Sequence, residues 1–153
     1  MKFLNEEHRD AFFDASAQYR INPMDREAGP LLYLLTASYD CRNHLDDLVK
    51  KDRGLILVKN DALKHPWITG GDARIIRLAF NLYNGLATTA MTWDNKRERY
   101  RSNTGEMAKY SPFVIFCGLD TGLFEAAMEA LRMRFDGMDY SGSDGWLLCG
   151  EEH

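Results

Sequence analysis

The chain has 153 residues, a formal net charge of −4 and a pI near 5.5; 45% of its residues are hydrophobic, with three Trp, seven Tyr and eight Phe. That length and composition predict one folded domain with a real core and exclude a disordered chain. The mild acidity opposes general nucleic-acid binding, which calls for a basic footprint, and no run approaches the eighteen apolar residues of a membrane span.

Asn5 is placed to cap a first helix reaching about Tyr19, with Glu6 and Glu7 in its first turn and His8, Phe12, Ala15 and Tyr19 along one face. The opening MKFLNEEHRD lacks the long apolar run of a signal peptide. GPLLYLLTAS has no polar side, so a buried central helix is expected, starting near Ala28 because Pro30 fits only a first turn. A third helix is expected over residues 39–51, with Asp40, His44 and Asp47 on one face and Gly54 as its stop. LILV at 55–58 reads as a short strand or extended segment.

Residues 67–85, WITGGDARIIRLAFNLYNG, carry a complete helix signal. Thr69, Gly70 and Gly71 supply the cap, Asp72 suits the positive end of the dipole, and Asn84-Gly85 is a stop. Ile75, Ile76, Leu78, Ala79, Leu82 and Tyr83 recur at helical spacing, while Arg74, Arg77 and Asn81 share a second stripe, expected to face water.

Residues 87–110 form a polar, irregular insert centred on KRERYR, and are expected to be the most mobile part of the fold. Ser111-Pro112 starts a short helix in which FVIF buries, and Cys117 reads as a small core residue. Phe124, Ala127, Met128, Leu131 and Phe135 form a stripe predicted to be core. A linker at 141–145 leads to WLLC, Trp146 to Cys149, which is too apolar to stay in water. It is expected to dock on LILV as a two-stranded element, on the helical core, or on a second copy as a homodimer. The fold class read from this pattern is mainly α: a compact bundle of about five helices in one domain over 1–140, with a minor two-stranded β element and a docked tail over 141–153.

LAFNLYNG, preceded by the turn Pro66-Trp67-x-Thr69, resembles an uncharacterised family of small bacterial proteins. MKFLNEEH and FEAAMEALRMRF are similar to that family's start and end. The resemblance implies a Gram-positive genome, often a phage or other mobile element. It brings no catalytic residue, cofactor or ligand.

The chemistry is therefore weighed from the residues. Three widely spaced cysteines, Cys41, Cys117 and Cys149, with no C-x-x-C, point to free thiols in a reducing cytoplasm and neither to a disulfide framework nor to a zinc site. Asp40, His44 and Asp47 at i, i+4 and i+7 form the one candidate metal face, for a small metal-dependent enzyme, but one helix lacks the further ligands such sites draw from a second element. No G-x-S-x-G or phosphate-binding loop is present, so no catalytic residue, metal ligand or cofactor is assigned. Lys96 to Arg101, beside Trp93, holds the ingredients for nucleic-acid contact, diluted by Asp94 and Glu98. Trp, Tyr and Arg are the residues of protein-binding hot spots. The favoured reading is thus a non-catalytic protein-interaction module. Its contact residues would be Trp93, Lys96, Arg97, Arg99, Tyr100 and Arg101, with Arg74, Arg77 and Asn81 as a secondary exposed face, and its partner another protein. If the phage-like relatives are a guide, that partner is a host defence component.

Overall fold

The most apolar run of the chain lies at the centre of the fold. In the computed structural model, which describes residues 1–136, helix α2 (Ala28–Ala37) is buried along its whole length. Helices α1 (Glu6–Gln18), α5 (Gly70–Asn84) and α8 (Thr121–Phe135) pack around it. A helix with no polar side has to be enclosed, and three neighbours enclose this one.

Local chemistry sets the boundaries. Asn5 accepts the His8 amide (2.8 Å) at the start of α1. Thr69 and Asp72 close a reciprocal capping box on α5, and Gly85 ends that helix in the left-handed conformation, φ 72°. Asp120 caps α8 through the Leu123 amide. His8, Phe12, Ala15 and Tyr19 all point inward from α1 as their spacing requires.

The expected third helix is interrupted. Residues 39–51 form two short helices, α3 (Tyr39–Asn43) and α4 (Leu45–Leu48), and then strand β1 (Val49–Asp52). Strand β2 (Leu55–Val58) pairs antiparallel with β1, Val49 opposite Val58. Arg53 and Gly54, both at positive φ, make the two-residue turn, so Gly54 serves a hairpin and not a helix stop. The minor β element therefore exists, but the partner of β2 is β1. The alternative partner, Trp146 to Cys149, lies outside the described residues.

The insert at 87–110 also departs from expectation. It is not irregular but an antiparallel hairpin, β3 (Met91–Asp94) with β4 (Arg99–Ser102), followed by helix α6 (Thr104–Ala108). Alternation within MTWD and RYRS is too short to stand out against the intervening charges.

Two core assignments are corrected. In α7 (Pro112–Phe116) only Ile115 is buried; Phe113 is 80% exposed and Cys117 is on the surface. In α8 the inward face is Ala126, Ala127 and Ala130, while Phe124 and Phe135 stay exposed. Small residues let α8 pack against the central helix, and the bulky aromatics are left at the rim. Among the described residues no helix is long and apolar enough to cross a membrane.

Candidate partner-binding surface

Trp93 and Tyr100 are directly opposite each other across the β3–β4 ladder. Their rings meet edge to face at 5.1 Å, and 47% and 58% of their surface is exposed. Cross-strand aromatic pairs stiffen a hairpin while leaving most of both rings open to a partner. The tip is set by Asp94, whose carboxylate accepts the Lys96 amide (3.0 Å) and the Arg97 amide (3.4 Å), and by Glu98 at φ 50°. The same carboxylate lies 4.0 Å from both Arg97 and Arg101. Successive strand residues point to opposite faces, so Arg99 and Arg101 project away from the Trp93–Tyr100 side. The structure thus gathers all six predicted contact residues on one hairpin but divides them between an aromatic face and a cationic face.

A partly buried polar network fastens this hairpin to the helical core. Arg77 grips Glu106 with two hydrogen bonds, Nε to Oε1 at 2.8 Å and Nη2 to Oε2 at 3.2 Å. The Thr89 hydroxyl donates to Glu106 (2.9 Å) and sits 2.7 Å from the Tyr110 hydroxyl, which also accepts the Thr89 amide. Burial alone would raise the Glu106 pKa. The Arg77 and Thr89 hydrogen bonds and the nearby Arg77 and Lys109 charges outweigh it and hold the carboxyl below its usual range.

Arg77 is therefore not part of an exposed face: it is 8% exposed, covered by the insert. Arg74 is also engaged, donating to the Val114 carbonyl (3.1 Å) and the Gly70 carbonyl (3.0 Å). Gly118 makes room for its guanidinium, because a Cβ there would overlap it. Asn81 donates weakly to the Leu86 carbonyl (3.5 Å). Periodicity identified the stripe, but the oxygens that engage Arg77 and Arg74, on Glu106 of α6 and Val114 of α7, come 29 and 40 positions later, where no local pattern reveals them.

Residues 1–142 match the model of a family of unknown function, DUF6075. The chain belongs to that family. No curated protein and no solved structure matches it.

In this DUF6075 member the Asp40, His44 and Asp47 side chains do not converge. The helix that would align them breaks at His44. His44 Nδ1 bonds to the Asp40 carbonyl (2.8 Å) and its ring stacks on Trp67, 4.4 Å between centroids. Asp47 accepts Trp67 Nε1–H (2.9 Å) and lies 3.7 Å from His65. These groups fasten the Pro66-Trp67 turn against α3 and α4. Among the described residues no three His, Cys, Asp or Glu side chains are grouped to hold a metal ion.

Two features escaped the sequence reading. One is a buried polar knot: Asp72 accepts the Ser38 hydroxyl (2.5 Å) and the Thr69 hydroxyl (2.8 Å), with the Cys41 thiol at 3.9 Å. Burial pushes the Cys41 thiol up to about 12, which leaves it protonated and a poor nucleophile. The Ser38-x-x-Cys41 cap was the available local signal; its pairing with Asp72 was not. The other is a groove of about 810 Å³ between the two hairpins, of mixed character: Leu55, Leu57, Tyr83, Leu86, Met91 and Tyr100 line it together with polar and charged side chains such as Lys50, Asn60 and Asp61.

Proposed function

We propose that this protein is a non-catalytic interaction module that docks on another protein through the Trp93–Tyr100 face. The observation that carries the reading is an exposed aromatic pair on a hairpin whose base is held by the Arg77–Glu106–Thr89–Tyr110 network. A projecting hairpin with a rigid base presents its aromatics at little entropic cost, which favours a hot spot. Lys96 and Arg97 at the tip, with Arg99 and Arg101 on the opposite face, give the hairpin a positive field that favours an acidic partner and speeds encounter. A nucleic-acid strand is less well served, because stacking rings and phosphate-binding cations belong on the same side of the site.

The finer reading is cytoplasmic action for a phage or mobile element of Gram-positive bacteria, with the hairpin occluding a component of host defence. It rests on the resemblance of the LAFNLYNG and FEAAMEALRMRF segments, and membership of a family of unknown function is compatible with it. The test is a pull-down from Gram-positive lysate with mass spectrometry, followed by titration of the purified partner. The Trp93→Ala/Tyr100→Ala protein should lose that partner at unchanged melting temperature; retained affinity would overturn the assignment.

A further inference from the structure

Among the described residues strand β2 pairs with β1 alone, and its outward residues are apolar: Leu55 is 64% exposed and Leu57 37%. Across the groove stand Leu86, 50% exposed, and Tyr100. Lys50, Lys59 and Asp61 also line it, and the Lys59 ammonium donates to the Asp46 carbonyl with further protons left to give. Exposed leucines on facing walls are a surface that water covers poorly.

The chain itself carries a segment of matching chemistry. Residues 137–153 contain Asp139, Asp144, Glu151 and Glu152, no Lys or Arg, and one apolar run, Trp146 to Cys149. The route is short. Arg134 Nε donates to the Leu82 carbonyl (3.0 Å), which places the end of α8 beside the last turn of α5. That turn continues into Tyr83 and Leu86, one wall of the groove. Leu86 is four residues beyond Leu82, at most about 13–14 Å away even if the chain between them were fully extended. The ten residues from Asp136 to Trp146 span at most about 33–36 Å. Reach is thus ample.

We propose that residues 146–149 of the same chain occupy this groove, with Trp146 and the two leucines against Leu55, Leu57 and Leu86, and Glu151 and Glu152 toward Lys50 and Lys59. Side chains make the contact, and not a continued ladder: the Ile56 carbonyl already accepts the Tyr83 hydroxyl (2.8 Å). The inference stands without the partner-binding reading, although Tyr100 belongs to both surfaces and an occupied groove adjoins the aromatic pair.

Cys149 is the built-in probe. In full-length protein carrying Cys117→Ser, a single new cysteine is placed on the rim, Lys50→Cys or Asp61→Cys, or on α7 as Phe113→Cys. Mild oxidation is followed by mass spectrometry of intact protein and of peptides. An intrachain disulfide from Cys149 should form at least tenfold faster at one rim position or both than at 113. A charge in the groove, Leu57→Asp, should abolish that difference while the circular dichroism stays the same. Equal rates at the rim and at 113, or no crosslink, would overturn the proposal. An interchain disulfide would overturn it too, by placing a second copy in the groove.

Discussion

Arg77 and Glu106, 29 positions apart, form a two-pronged ion pair with only 10% and 16% of their side chains exposed. The pair joins the middle of α5 to the start of α6, and so fixes the hairpin between them relative to the core. Arg77→Ala leaves a mostly buried carboxylate without its main partner, and should cost roughly 3 kcal/mol. Chemical denaturation measures the loss, and hydrogen exchange should show faster exchange in β3 and β4 than in α2.

Glu106 also sets an acid limit. Its native pKa lies below the ordinary value of 4.5, so its contribution is complete above that value and disappears as pH falls through the lower native one. Replacing the pair together, Arg77→Met with Glu106→Gln, should flatten the stability profile between pH 5 and about 3 relative to wild type, read from denaturant midpoints.

His8 sets a second, milder limit. It is fully buried, with Nε2 at 2.9 Å from the Tyr33 carbonyl and Nδ1 accepting the Leu4 amide (3.3 Å), an arrangement that suits the neutral ring with its proton on Nε2. Burial lowers its pKa below 6.5, the Tyr33 carbonyl opposes that, and the Arg42 charge adds to it. The unfolded chain therefore takes up a proton first as pH falls. Stability is complete above about pH 6.5 and declines below it until the native pKa is passed. Melting temperatures from pH 7.5 to 5 should fall in wild type and change less in His8→Gln, which is itself less stable by about 1–3 kcal/mol.

The exposed aromatic pair makes the opposite prediction. Trp93→Ala with Tyr100→Ala removes a surface cross-strand contact, worth about 0.2–1 kcal/mol. Stability should stay nearly constant while partner binding weakens at least a hundredfold, which calorimetry of the variant against the captured partner would show. A large loss of stability would mean the pair is structural.

Thiol reactivity checks the corrected core. Cys41 is buried and its pKa is raised to about 12, whereas Cys117 is exposed on the loop after α7. Iodoacetamide in native buffer should label Cys117 within minutes and Cys41 only after denaturant is added, as peptide mapping would reveal. Early labelling of Cys41 would contradict the packing of α3 against Asp72.

Helix signals were legible wherever they were local. The Asn5 cap, the Thr69–Asp72 box with Gly85, and the apolar run of α2 each depend on residues within a few positions of one another. The six proposed contact residues were chosen by composition, and all of them lie on a single hairpin. The two faces of that hairpin were not legible, because a four-residue strand gives too few alternations to establish a period. The metal face at Asp40, His44 and Asp47 failed for a related reason. It assumed that one helix continued past His44, when Val49 and the Arg53-Gly54 turn instead commit the chain to a ladder.

By itself the sequence determined the mainly helical class, the identity of the buried central helix and the ends of the long helices, because short-range hydrogen bonding and side-chain periodicity set these. Only the tertiary structure decided which stripe of α8 faces inward, that Arg77 is covered and not exposed, and that the two hairpins share a groove with the end of α5. Those outcomes depend on which surfaces meet. Close approach selects Ala126, Ala127 and Ala130 over larger aromatics, and desolvation requires Arg77 to find a carboxylate 29 positions away.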